Sequence, residues 1–228
     1  MRTPSLMVFS VLFLFFSLLS QEVDVKNNTS LNQDCPALDK DCLQKGIEYY
    51  HEKQFLKAYE IFHLLCERKV SDGCNFIVEM SEDKIIDPKR KPQEYALRSC
   101  EFGSSIGCYN YGIYMEREKN SDKALEFTKK ACEMLHNMAC EKTGVYYSIK
   151  SNYVMAEKMF SLALHINPTS KSLFYNMACM YAKKGDVDKA INCLSAAIRT
   201  DSRYKEKAKI DEDFKSLKNK DEFKALLK

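Results

Sequence analysis

The chain has 228 residues, and its 7 Gly and 5 Pro together make about 5% of them against a usual ~12%, which argues against all-β sandwiches and barrels with their frequent turns. Its 35 basic and 32 acidic residues nearly cancel, to a net charge of +3, so no basic surplus points to nucleic acid. A 45% apolar chain of this length can bury a core without cross-links, and its 10 Cys need their own explanation.

In chain order, residues 6–19 (LMVFSVLFLFFSLL) form an apolar run behind a short segment whose only side-chain charge is Arg2. The run is too short for a comfortable membrane span of about 20 residues, but it fits the apolar region of a secretory leader. With the small residues Ser17 and Ser20 near the expected cleavage point, residues 1–20 read as a signal peptide. The alternative is an uncleaved leader, which would be the chain's membrane attachment. Residues 21–38 read as a polar spacer and N-terminal cap. Every cysteine lies after the leader, and an even number in an exported chain reads as disulfides in a secreted or periplasmic protein.

The cysteines also supply a ruler for repeats. Cys42, Cys74, Cys108 and Cys140 are spaced by 32, 34 and 32, and a further step of 34 reaches Phe174. Four residues on stand Gly46, Gly112, Gly144 and Ala178, with only Val78 departing. Twelve beyond these come Ala58, Ala124, Ala156 and Ala190; the second unit offers Pro92 instead, fourteen beyond Val78. A small residue on each of two helices lets them approach closely, so the couple marks the crossing of an αα-hairpin. Ala156, Phe160 and Ala163, then Ala190, Leu194 and Ala197, keep the helical spacing i, i+4, i+7. The expected fold is all-α: an α-solenoid of five antiparallel αα-hairpins over 39–71, 72–104, 105–136, 137–170 and 171–204. Residues 205–228, with Ile210, Phe214, Leu217, Phe223 and Leu226, are expected to form capping helices over its end.

The segments 136–168 and 172–201 resemble tetratricopeptide repeats, through Gly144, Tyr147, Ala156, Phe160, Ala163 and Pro168, then Ala178, Tyr181, Gly185, Ala190, Leu194 and Ala197. GCYNYG at 107–112 and KKACEMLHNMAC at 129–140 resemble cysteine-rich Sel-one-like repeats, a variant found in secreted bacterial proteins, some of which carry a β-lactamase-like label. The resemblance spans roughly 39–204 and is weakest in the second hairpin. It implies a helical-repeat scaffold that binds a protein or peptide on its concave face.

Three cysteine pairs share the pattern Cys-x7-Cys: Cys66/Cys74, Cys100/Cys108 and Cys132/Cys140. In this register the first ends one hairpin and the second begins the next, a corner where two Cα atoms can reach the ~5.5 Å of a disulfide. They read as staples between successive hairpins, the arrangement the resemblance also implies. Cys35/Cys42 is one residue shorter and reads as a cap on the first hairpin. Cys179 and Cys193, 14 apart, are read as free thiols, with a bonded pair as the alternative. Cys-x7-Cys is not a usual zinc spacing and no Cys-x-x-Cys is present, so neither a metal nor a redox centre is expected.

A serine β-lactamase needs Ser-x-x-Lys and Lys-Thr-Gly. Ser81 with Lys84, Ser202 with Lys205, and Lys142-Thr143-Gly144 occur, but Gly144 is already explained as a crossing glycine and no Ser-Asp-Asn accompanies them. No catalytic residue and no cofactor are therefore assigned. First helices line the concave side of such a solenoid, which brings Tyr109, Asn110, Ile113, Glu141, Val145, Tyr175 and Asn176 to a peptide-binding face, beside Asn75, Glu79 and Glu82. The resemblance implies that Asn110 and Asn176 can hydrogen-bond the backbone of an extended peptide; the alternative is that each bonds its own hairpin. The expected function is that of a monomeric, secreted or periplasmic scaffold for a protein or peptide, with no nucleic-acid partner. Weak β-lactam binding or hydrolysis is the alternative, carried by the resemblance alone.

Overall fold

The computed structural model describes Cys35 and residues 39–86 and 91–228; the leader and most of the spacer lie outside these residues. Every element described is helical. Five hairpins follow one another: α1 (Asp39–His51) with α2 (Phe55–Glu67), α3 (Ser71–Glu82) with α4 (Pro92–Glu101), α5 (Ser105–Arg117) with α6 (Ser121–Glu133), α7 (Asn137–Ile149) with α8 (Tyr153–Ile166), and α9 (Lys171–Lys184) with α10 (Val187–Thr200). Each helix packs on the next. Contacts from α2 to α4, α3 to α5 and α7 to α9 stack like helices on like, which makes a solenoid.

The turns explain how a chain so poor in glycine makes so many reversals. Eight of them close alike, with one residue at positive φ whose N–H bonds the carbonyl three back, and a next residue whose N–H bonds the carbonyl five back. After α1 these bonds run from Lys53 to Tyr50 at 3.1 Å and from Gln54 to Tyr49 at 2.8 Å. This is the Schellman closure, which favours glycine, yet only Gly103 and Gly185 supply it. Lys53, Lys69, Lys84, Lys119, Leu135 and Ser151 hold the same left-handed conformation. In five of the eight, the residue that ends the turn then caps the following helix. The side chains of Ser104, Asn120, His136, Asn152 and Asp186 each accept an N–H from three residues on. The turn from α8 to α9 differs: Pro168 follows the helix and the Asn167 side chain accepts from the Thr169 N–H at 3.1 Å.

At the crossings, Gly46, Gly112 and Gly144 take their place because a Cβ there would lie 2.6–2.8 Å from Phe62, Thr128 and Phe160 respectively. In the second hairpin Pro92 occupies the place of Ala58, eight residues before the cysteine, and is buried as the first residue of a short α4. Three corners carry the disulfides Cys66–Cys74, Cys100–Cys108 and Cys132–Cys140, and Cys35–Cys42 ties the segment before α1 to that helix, with Cα separations of 4.8, 4.4, 4.5 and 4.6 Å respectively. Gly73 and Gly107 stand just before the second cysteine of their corners because a Cβ would meet the Phe62 carbonyl or the Cys100 backbone nitrogen at 2.5 Å. Ala139 is fully buried at the third corner. Cys179 and Cys193 are unpaired.

Beyond the hairpins, α11 (Arg203–Ile210), a 3-10 helix (Glu212–Leu217) and α12 (Asp221–Leu226) pack on α9 and α10. They bury Phe214, Leu217 and Phe223. Ile210, grouped with these by sequence, is instead 79% exposed, because α11 is only eight residues long and turns Ala208 inward. The buried apolar side chains form two clusters. One belongs to hairpins 1 and 2, from Cys35 to Met80; the other runs from Cys100 to Phe223.

Candidate functional site

Between α3 and α5, beside the division of the core, lies an open groove of about 590 Å³. Its α5 wall is one stripe, Ile106, Asn110, Ile113 and Arg117 at i, i+4, i+7 and i+11, with Tyr109 and Tyr114 beside it. Its α3 wall carries Asp72, Asn75, Phe76, Val78, Glu79 and Glu82. Both walls come from first helices, and six of the residues expected on the binding face, Asn75, Glu79, Glu82, Tyr109, Asn110 and Ile113, meet here.

One end of the groove is closed by a tight ionic cluster. The Arg117 guanidinium grips Glu82 with two nitrogens at 2.7 and 3.1 Å, and the Tyr114 hydroxyl donates to the same carboxylate. These hydrogen bonds, the one from Arg117 foremost, hold the Glu82 carboxyl below its usual range. Burial, and then the bond to Glu82, push the Tyr114 phenol up. Toward the other end Asn75 is fixed, donating to Ser104 at 3.0 Å and accepting from Ser99 at 2.6 Å. Tyr109 stacks on His136 with ring centres 4.6 Å apart. Among the described residues, Asn110 makes no side-chain hydrogen bond, and Asp72 and Glu79, both exposed, make no ion pair.

The other expected residues go elsewhere. Glu141 accepts from Asn176 at 2.8 Å and from Ser170 at 3.2 Å, so Asn176 bonds the neighbouring repeat. Val145 lines a separate cavity of about 150 Å³ between α5, α6 and α7, where Lys142 pairs with Glu116 at 2.7 Å. Tyr175 corrects the expectation outright. It is 2% exposed, stacks on Tyr204 with centres 4.8 Å apart and donates to Asp211 at 2.7 Å. The capping segment has covered the face that its register would otherwise present. Sequence reading missed Asp72, Phe76, Ile106, Tyr114 and Arg117 as groove residues, although the α5 stripe follows from Asn110 by helical spacing.

Metal-type donors converge in one place among the described residues: the donor atoms of Cys179, Asp211 and Asp213 lie within 4.8 Å of one another. They are already engaged. Asp211 accepts from Tyr175 and caps the 3-10 helix, Asp213 pairs with Lys183 at 2.8 Å, and burial followed by the two carboxylates pushes the Cys179 thiol up. The serine motifs lie on separate elements: Ser81 is buried in α3, Thr143 is fully buried in α7 with its hydroxyl unpaired among the described residues, and Ser202 is exposed before α11.

No family model and no curated protein matches the chain. Solved structures do. A Sel1 repeat protein from Oxalobacter formigenes superposes with a TM-score of 0.59 at 16% identity, over 72% of either chain. YrrB, described as a TPR protein with an unusual peptide-binding site, gives 0.54 at 14% identity over 78% of this chain and 94% of its own. The protective antigen c5321 of uropathogenic Escherichia coli strains, with an SLR fold, gives 0.59 at 14% identity over 83% of this chain and 44% of its own. The fold is thus that of Sel1-like and tetratricopeptide repeat proteins.

Proposed function

We propose that this chain is a secreted or periplasmic scaffold that binds a protein or peptide on the face built by its first helices, with no chemistry of its own. The observation that carries the reading is the α3/α5 groove: an elongated, mixed polar and apolar trough with an uncommitted amide, Asn110, in its wall. Such a surface suits a peptide segment, whose backbone offers hydrogen bonds and whose side chains need apolar contact. The fold shared with YrrB, whose peptide-binding site is its described feature, supports the reading. Four disulfides suit an oxidising compartment, and none of the described helices is long and apolar enough to cross a membrane.

Selection of a displayed peptide library on the oxidised chain tests this. Selected peptides should lose at least ten-fold in affinity on Asn110→Trp, which fills the groove, while the far-ultraviolet dichroism and melting temperature stay unchanged. Peptides that bind both proteins equally would move the site away from this groove.

A further inference from the structure

Resting on that peptide-binding reading, we infer that the α3/α5 groove takes an extended segment of about five residues, bearing lysine or arginine on one side and apolar side chains on the other. The length follows from the walls. Ile106 to Arg117 spans eleven helical steps, about 16 Å at 1.5 Å each, and an extended chain covers that distance in about five residues at ~3.3 Å.

The two walls differ in chemistry as the two sides of an extended chain do. The α3 rim presents Asp72 and Glu79, exposed and without an ion pair among the described residues; the α5 wall presents Ile106 and Ile113, with Ile106 49% exposed. Side chains of a strand point alternately to opposite sides, so basic residues facing α3 place apolar ones against α5. Asn110 stands between Ile106 and Ile113 on that wall, and its amide can both donate to and accept from one peptide unit. The equivalent Asn176 has given its donor to Glu141.

The sign of the charge is set by the closed end. Arg117 is the cation lining the groove, and both of its gripping nitrogens are taken by Glu82. An acidic segment would meet Asp72 and Glu79 as like charges and would have to break this bidentate pair to find a partner. A basic segment meets two unpaired carboxylates and leaves the pair intact.

Fluorescence anisotropy with three labelled, end-blocked hexapeptides on the full oxidised chain separates the possibilities: Lys-Val-Lys-Val-Lys-Val, Glu-Val-Glu-Val-Glu-Val and Lys-Ser-Lys-Ser-Lys-Ser. The first should bind at least ten-fold more tightly than either other. Glu79→Lys alone, and with Asp72→Lys, should weaken it progressively to ten-fold or more, and Asn110→Trp should remove it. Equal binding of the glutamate peptide, indifference to Glu79→Lys, or survival on Asn110→Trp would overturn the inference. Library peptides that are Asn110→Trp-sensitive but lack basic residues would sink this inference and leave the peptide-binding reading standing; no Asn110→Trp-sensitive peptide at all would remove both.

Discussion

A methyl group added at Gly144 would sit 2.6 Å from the Phe160 ring, and the same exchange of volume recurs along the chain. Gly46 faces Phe62 and Gly112 faces Thr128. In the second hairpin the register pairs Val78 with Ala96, both buried, so the larger side chain has moved to the first helix. That explains why Val78 interrupts the row of small residues without interrupting the hairpin. Gly144→Ala should therefore destabilise by about 1–3 kcal/mol through overpacking, with part of the loss recovered in combination with Phe160→Leu; urea titration of the four proteins measures both. Leu135 makes the opposite case. It holds φ at 61° while 62% exposed, so its side chain contributes little burial against a left-handed conformation that costs about 1–2 kcal/mol for a residue with a Cβ. Allowing for the greater entropy that glycine loses on folding, Leu135→Gly should stabilise by roughly 0.5–1 kcal/mol in the same titration, whereas an unchanged or lower midpoint would show the turn to be unstrained.

At the level of elements, α7 begins on a titratable cap. His136 accepts the Ala139 N–H through Nδ1 at 3.2 Å, stacks on Tyr109 across the edge of the groove, and has its pKa lowered from 6.5 by burial. Protonation turns that acceptor into a donor and puts a positive charge at a helix N-terminus, which the helix dipole opposes. The unfolded chain thus binds this proton more readily than the folded one. The contribution is complete above pH 6.5 and is lost as the pH falls through the lowered value. Stability should decline on going from pH 7.5 to 5.5, and His136→Asn, which keeps an accepting cap without the titration, should flatten the decline. Equal slopes for the two proteins would exclude His136 as its source. Such caps show what a single sequence discloses. Hairpin boundaries and staple pairs are legible because helix rise and disulfide reach tie them to fixed spacings, as in Cys66/Cys74 and Gly112/Ala124. The fate of Tyr175 and Asn176 is not, since Asp211 and Glu141 lie 36 and 35 residues away and reach them only through the offset between stacked repeats. The Glu82 to Arg117 pair, also 35 apart, closes the groove by the same kind of contact.

At the scale of the molecule, the division of the core governs how the solenoid holds together. Hairpins 1 and 2 share one apolar cluster, and the other begins at Cys100. The third hairpin gives Cys108, Ala131 and Cys132 to the second cluster, and apart from Met115 its other buried residues, Gly107, Gly112, Ala124 and Thr128, are small and bury little apolar area. Cys100–Cys108, both in the second cluster, joins α4 to α5 at that cluster's edge, beside the groove. In a stack whose stability is a sum of unit and interface terms, cooperativity fails first at the weakest interface. A disulfide closing a loop of about nine residues contributes on the order of 2.5 kcal/mol in the chain-entropy model. Replacing Cys100 and Cys108 by Ala should therefore split thermal unfolding into two calorimetric transitions. Hydrogen exchange should then accelerate in α5 and α6 ahead of α8 to α10. Replacing Cys132 and Cys140, whose corner between α6 and α7 lies farther from that edge within the second cluster, should lower the melting temperature while leaving one transition. If the Cys100/Cys108 variant also melts in one step, the third hairpin couples the two clusters through its packing alone, and the groove lies on a rigid wall rather than at a seam.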